Sequence, residues 1–269
     1  MGKIYTALGL MSGTSMDGID ASIISSDGDK EYSIIVDKYY KYEEKFRDEL
    51  ARIRSKILTN EDLVSFRTEI AAIERELTLL HATAANDLIK KNNLKIDFIG
   101  FHGHTLFHDS KKKISKQIGD GNLLSSLCKK NVIFDFRKAD IENGGEGAPL
   151  TPIFHNAVVN KNLNKEFNKF DSINILNIGG IANITKTAKW EKFYKYPNML
   201  QASDIGPGNC MIDSWIRNNS NSTFDNNGNL ANHGNSERSP GAGSGSAWPP
   251  WLPQGLEFGL RSFHRRNRL

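Results

Sequence analysis

Apolar and polar positions alternate through Lys3–Met11, Asp20–Ser26 and Tyr32–Tyr42, which predicts three strands. Glycine-bearing turns, Gly13 to Gly18 and Asp27 to Asp29, separate them, so the chain is expected to open on an antiparallel meander. The period then changes. Over Glu43–Leu58 and Asn60–Asn92 apolar residues recur at three- and four-residue steps, with Ile70, Ile73, Leu77 and Leu80 on one stripe and Asn60 or Glu61 opening the second segment; two helices are expected. Further on, strands are expected at Ile96–His102 and Lys116–Gly119, a helix near Asn122–Lys130, a strand at Asn131–Phe136, a helix from Thr151, and a hairpin of Ser172–Ile178 with Ile181–Thr187. The order is mixed α/β without tandem short repeats.

Composition narrows the class. In 269 residues, 38% are hydrophobic, enough to build a core and exclude wholesale disorder. No apolar run approaches the roughly 18 residues a membrane span needs, and the N-terminus lacks a secretory pattern, so a soluble, membrane-free protein is expected. Cys128 and Cys210 form neither a CxxC pair nor a disulfide framework, which fits a reducing cytoplasm. The net charge of +4 is misleading: residues 235–269 carry five Arg against two acidic residues, +3 of that total. Nucleic acid is therefore not an expected partner. That same segment has no Lys and holds four of the eight Pro, and reads as an atypical, disordered tail behind a Gly/Ser linker.

Chemistry concentrates in the loops. The segment Gly9 to Asp20, GLMSGTSMDGID, packs glycines, hydroxyls and two carboxylates into one turn. Consecutive N–H groups there can form an anion nest, and Asp17 or Asp20 can hold Mg²⁺ through water; an ordinary hairpin turn with capping hydroxyls competes. Paired glycines in Asn177 to Asn183, between strands whose apolar runs look buried on both faces, make a second phosphate cradle, although Gly-Gly is common in hairpins. In Ser203 to Asp213, Gly206-Pro-Gly208 leads into a helix capped near Asn209, and Asp204 is placed for general-base work or for an Asx-turn. His102, His104 and His108 allow zinc, though a substrate-facing loop is simpler without a Cys or acidic partner. Arg137 is a clamp for an anion, or else the ion-pair partner of Asp135 or Asp140.

Six segments in this order closely resemble the anhydro-N-acetylmuramic acid kinases: GLMSGTSMDGID (9–20), GFHGHTLFH (100–108), QIGDG (117–121), DFRKADIENGGEGAPLTP (135–152), LNIGGIANIT (176–185) and SDIGPGNCMIDSWI (203–216). The resemblance, over roughly Ile4 to Gly234, implies an actin/hexokinase/Hsp70-like sugar kinase of two ribonuclease-H-like domains with ATP in the cleft. It implies a first domain at 1–150 and a partial second at 151–234, cytoplasmic location and a homodimer as one assembly. By the same resemblance Ser12, Gly13, Thr14, Ser15, Met16, Asp17, Gly18 and Ile19 form the ATP-phosphate loop and Gly179, Gly180 and Asn183 the second. Asp204 is then the catalytic base, Asp17 the residue that holds Mg²⁺ through water, and His102, Arg137, Gly206 and Asn209 contact the sugar. The reaction implied opens the 1,6-anhydro ring of 1,6-anhydro-N-acetylmuramic acid with water and phosphorylates O6 from ATP, giving N-acetylmuramate 6-phosphate and ADP.

Two departures stand against the family pattern. His104 and Glu146 occupy positions where the family carries Gln. After Gly234 the family continues with helices and a Gly-rich adenosine-binding segment, whereas here the composition breaks, so the second domain is expected to be incomplete. The alternative expectation is a catalytically inactive, truncated or frameshifted remnant of that kinase.

Overall fold

The computed structural model describes residues 2–109, 112–162, 169–170 and 172–233; the tail expected at 235–269 lies outside them. The fold is mixed α/β. Strands β1 (Tyr5–Ser12), β2 (Gly18–Ser26) and β3 (Tyr32–Lys41) form the expected antiparallel meander. The other edge of β1 takes β4 (Phe98–Asp109) in parallel. β4 is long enough to serve two neighbours: Phe98–Gly100 pair in parallel with β6 (Asn131–Ile133), and His104–Asp109 pair antiparallel with β5 (Ile114–Ile118). The resulting order is β3-β2-β1-β4-β5, with β6 also on β4.

Helices cover one face of this sheet: α1 (Glu44–Lys56), α2 (Asn60–Ser65), α3 (Arg67–Asn92) and α4 (Gly121–Cys128). The single helix expected over Asn60–Asn92 is broken at Phe66, whose backbone (φ −102°, ψ 22°) leaves the helical basin. The helical segment opens at Asn60, as expected, behind the N-cap Thr59, which shares a capping box with Asp62. The stripe Ile70, Ile73 and Leu77 with Leu88 meets Leu8, Leu10, Ile23, Ile99 and Phe101 of the sheet and Leu50 and Ile53 of α1, all nearly solvent-free. Transfer of such side chains from water contributes about 1.5–3 kcal/mol each, so the sheet-helix core anchors the loops it carries.

Past β6 the chain forms α5 (Phe136–Glu142) and α6 (Pro152–Asn162), then a second sheet of β7 (Asn174–Ile178), β8 (Ile181–Lys186) and β9 (Gln201–Pro207), antiparallel in the order β7-β8-β9. Helices α7 (Trp190–Lys195) and α8 (Asn209–Asn219) follow β8 and β9. The expectation that β7 and β8 are buried on both faces fails: Leu176, Ile178 and Ile181 are 40%, 54% and 46% exposed. Among the described residues the packing on this sheet comes from α6 and α8 against β8, where His155 Nδ1 bonds Thr185 Oγ1 at 2.8 Å and Asn156 accepts from Ala188 N at 2.9 Å. All of this belongs to one unit, residues 1–224; the next unit begins at Asp225, whose carboxylate accepts the N–H groups of Leu230 (2.8 Å) and Ala231 (3.1 Å) at the start of α9 (Asn229–His233).

Candidate active site

The first glycine loop is fastened at its base and open at its top. Ser12, the last residue of β1, is buried with its hydroxyl 3.3 Å from His104 Nδ1. Gly13 O accepts Met16 N–H at 3.1 Å, closing a turn in which Met16 adopts φ 56°. Asp17 O accepts Tyr42 N–H at 2.9 Å, tying the loop to the end of β3. Thr14, Ser15 and Asp17 remain exposed, and the Ser15 hydroxyl donates to the Asp17 carboxylate. Gly18 and Ile19 are buried at the start of β2, so they support the loop and do not line it.

The second glycine loop lies opposite the first. A Cβ on Gly180 would sit 2.9 Å from Thr14 Oγ1, so glycine is what allows the two turns to approach. The loop is also stitched to the entry of α8: Gly180 O accepts from Gly208 N (2.9 Å), and Gly179 O accepts from Asn209 N (2.7 Å). The cap expected near Asn209 is Gly208, and the Asn209 carboxamide donates to Ile178 O at 3.3 Å. Asn183 lies in β8 beside Asp204 in register, and its buried carboxamide oxygen has no hydrogen-bond partner among the described residues. A cradle that a Cβ would fill, exposed hydroxyls and carboxylate around it, and an orphaned buried acceptor together suit a phosphate group with a hydrated cation.

Asp204 belongs to strand β9, where the sequence suggested a loop, and its carboxylate is exposed. Its charge acts on Arg137 and His108, brought from α5 and β4. Arg137 makes neither of the ion pairs weighed for it. Its Nε donates to His102 Nε2 at 3.0 Å and its Nη1 to Gly147 O at 2.7 Å, while Asp140 accepts Gly147 N–H at 2.7 Å and so holds the same loop. Burial lowers the Arg137 pKa and Asp204 opposes the shift. His102 titrates below its ordinary value because it is buried and faces Arg137. Gly206, at φ 150°, sits in β9 two residues past Asp204.

The three histidines of β4 do not converge on a metal. His102 meets Arg137, His104 meets Ser12, and His108 Nδ1 lies 3.1 Å from Ser115 Oγ. His104 is driven to about 4 by burial first and by Arg54 next, which keeps it neutral behind the first loop. Sequence reasoning missed α5, read as a strand end and a glycine loop, and with it the geometry of Arg137. His108 near Asp204 had no sequence signal at all.

A meander whose first strand takes a parallel neighbour bears a glycine loop that faces a second glycine loop on another meander, which makes the protein a mixed α/β fold with paired glycine loops between its two sheets. Comparison with known proteins narrows the assignment. The family model for anhydro-N-acetylmuramic acid kinase matches residues 5–239, and the chain belongs to that family. It is 49% identical over 234 residues to the anhydro-N-acetylmuramic acid kinase of Pelagibacter ubique (strain HTCC1062), a match covering 87% of this chain and 60% of that protein. The enzyme of the same description from Gluconobacter oxydans (strain 621H) is 40% identical over 85% of this chain and 60% of its own length. The chain therefore spans about 60% of the length of the curated relatives it matches. Among solved structures, an exopolyphosphatase-like protein aligns over 79% of this chain and 53% of its own at 12% identity, with a TM-score of 0.36. Among the described residues no helix is long and apolar enough to cross a membrane.

Proposed function

We propose that the protein is an ATP-dependent kinase that opens the 1,6-anhydro ring of 1,6-anhydro-N-acetylmuramic acid with water and phosphorylates O6, giving N-acetylmuramate 6-phosphate and ADP. The observation that carries this is one juxtaposition: two glycine loops in contact through Thr14 and Gly180, with Asp204 on the adjoining strand and Arg137 within reach of its charge. Family membership supports the substrate class. The N–H groups of residues 13–15 and Gly180 would hold the phosphates, since those of Met16 and Gly179 bond Gly13 O and Ile181 O, and Asp17 would hold Mg²⁺ through water. ATP supplies the phosphoryl group, and the cation offsets its charge. Asp204, exposed and adjacent to a fixed cation, would take the proton of the water that adds at C1. His102, Arg137, Gly206 and Asn209 would position the sugar.

The same proposal divides the chain into a first ribonuclease-H-like domain at 1–150 and part of a second at 151–234. It places the protein in the cytoplasm, in keeping with two free thiols, Cys128 and Cys210. Its partner is a small molecule and not nucleic acid, and a homodimer is the assembly that light scattering would test.

The deciding experiment is a coupled ADP-release assay with the anhydro sugar, ATP and Mg²⁺, paired with calorimetric ATP binding. Sugar-dependent release is expected, falling by about 10²–10⁴ in Asp204→Asn while ATP affinity is retained. Equal turnover in that variant would overturn the assignment of the base. Neither release nor ATP binding from folded protein would favour the inactive remnant.

A further inference from the structure

β4 does not run straight past the site. Its parallel register with β1 pairs Leu10 with Phe101 and Met11 with Gly103, so His102 is the extra residue of a bulge. Gly103 takes φ 68°, and a Cβ there would overlap Ile118 O. The burial alternation changes phase at this point: Ile99 and Phe101 face the core before it, His104 and Leu106 after it. His102 is therefore turned to the face that Gly100 presents to Phe136 at the start of α5, one residue from Arg137.

The imidazole there has its two nitrogens committed. Nδ1 lies 3.0 Å from Gly103 O, a carbonyl that can only accept, so Nδ1 carries the proton. Nε2 is then the acceptor for Arg137 Nε–H at 3.0 Å. With Nη1 also bonding Gly147 O, two of the five guanidinium N–H groups hold Arg137 in place, and the other three make no hydrogen bond among the described residues. A guanidinium held from behind by a neutral acceptor keeps its full charge for a ligand; one held by a carboxylate does not.

We propose that His102 is a positioning residue that aims Arg137 at a carboxylate carried by the sugar, the lactyl group that distinguishes a muramic acid from the corresponding glucosamine. This rests on the sugar-kinase proposal above and specifies which part of the sugar the site recognises. Protonating Nε2 would turn its acceptor into a donor facing a cation and release Arg137. The charged and titratable groups around the pair are Arg137 from α5, His81 from α3 and His104 on β4; Asp204 from β9 and His108 face Arg137, and Glu146 faces His108. Burial and Arg137 both hold the His102 pKa below 6.5, so the neutral form persists at neutral pH and carboxylate recognition is lost as pH falls through that lowered value.

The test compares the affinity of 1,6-anhydro-N-acetylmuramic acid with that of 1,6-anhydro-N-acetylglucosamine, the same bicyclic sugar without the lactyl group. Wild-type protein is expected to prefer the acid by roughly tenfold to a hundredfold, the range of a charge-assisted bond. Arg137→Gln should abolish the preference. His102→Ala should reduce it, weakening the acid more than the neutral sugar, and His102→Gln, which retains an acceptor, should restore part of it. Imidazole nitrogen NMR at neutral pH should place the His102 proton on Nδ1. The inference falls if His102→Ala weakens both sugars equally, if Arg137→Gln keeps the preference or changes only ATP affinity, or if the proton sits on Nε2. Equal binding of both sugars by wild-type protein removes the carboxylate subsite and leaves the kinase proposal standing; binding of neither removes both.

Discussion

Replacing Gly103 with Ala tests whether the bulge at His102 is locked by its backbone. Two separate costs are expected. The first is the left-handed conformation, φ 68°, which an L side chain occupies at about 1–2 kcal/mol. The second is steric: the new methyl would overlap Ile118 O and lie 3.2 Å from Ile118 C and 3.6 Å from Gly119 Cα, all backbone atoms that cannot rotate away. Overpacking of this kind costs about 1–3 kcal/mol, giving roughly 2–5 kcal/mol in total. Gly28 supplies the control. It has φ 78° in the β2–β3 turn, but nothing lies within 4 Å of its added Cβ. Gly28→Ala should therefore show the conformational cost alone. Urea unfolding of both variants, compared at the midpoint, isolates the steric part as their difference. Gly103→Ala as stable as Gly28→Ala would refute the claim that close backbone approach fixes the bulge. The same variant should weaken binding of the anhydro sugar acid, because His102 would swing away from Arg137.

Further outcomes follow from the same geometry. Gly180→Ala, whose methyl would press on Thr14 Oγ1 from 2.9 Å, should weaken ATP binding at least tenfold, about 1.4 kcal/mol, with little change in melting temperature; unchanged calorimetric affinity would remove Gly180 from the phosphate cradle. Asp87 accepts from Lys91, Lys38 and Tyr40, which hold its carboxyl well below the ordinary carboxylate range. Its contribution is present above the unfolded pKa near 3.8 and is lost as pH falls through the lowered folded value, so Asp87→Asn should be less stable than wild type at pH 7 and converge with it in strong acid. His81 and His104 are buried neutral with pKa values of about 4, so unfolding should become easier as pH falls from about 6.5 towards 4. His104→Gln should flatten part of that slope in pH-dependent chemical denaturation, and an unchanged slope would count against burial of a neutral His104.

Most of the elements were legible in the sequence because they follow from side-chain period. The meander, α1, the stripe of α3 and the β7–β8 hairpin appear where alternation and three- and four-residue spacing put them. Breaks within elements were not legible. Phe66 interrupts the helical run by its backbone angles, although the apolar stripe continues across it. β9 carries Ser203, Asp204 and glycine, residues poor in strand propensity, and is a strand because β8 offers it an edge. α5 is only seven residues long and gave too short a window for a periodic signal.

The six ordered motifs by themselves determined the family, and with it the expectation that Asp204, Arg137 and two glycine loops act together. That much is encoded in residue identity and spacing, because glycine at a close approach and a carboxylate beside it are chemical requirements of the loops. Only the tertiary structure decided how these groups meet. Thr14 and Gly180 are 166 positions apart and His102 and Arg137 are 35 apart, and no local rule brings either pair together. They meet because the sheet-helix core fixes where each strand ends, and because one unpaired residue in β4 turns His102 off the core face and onto Arg137.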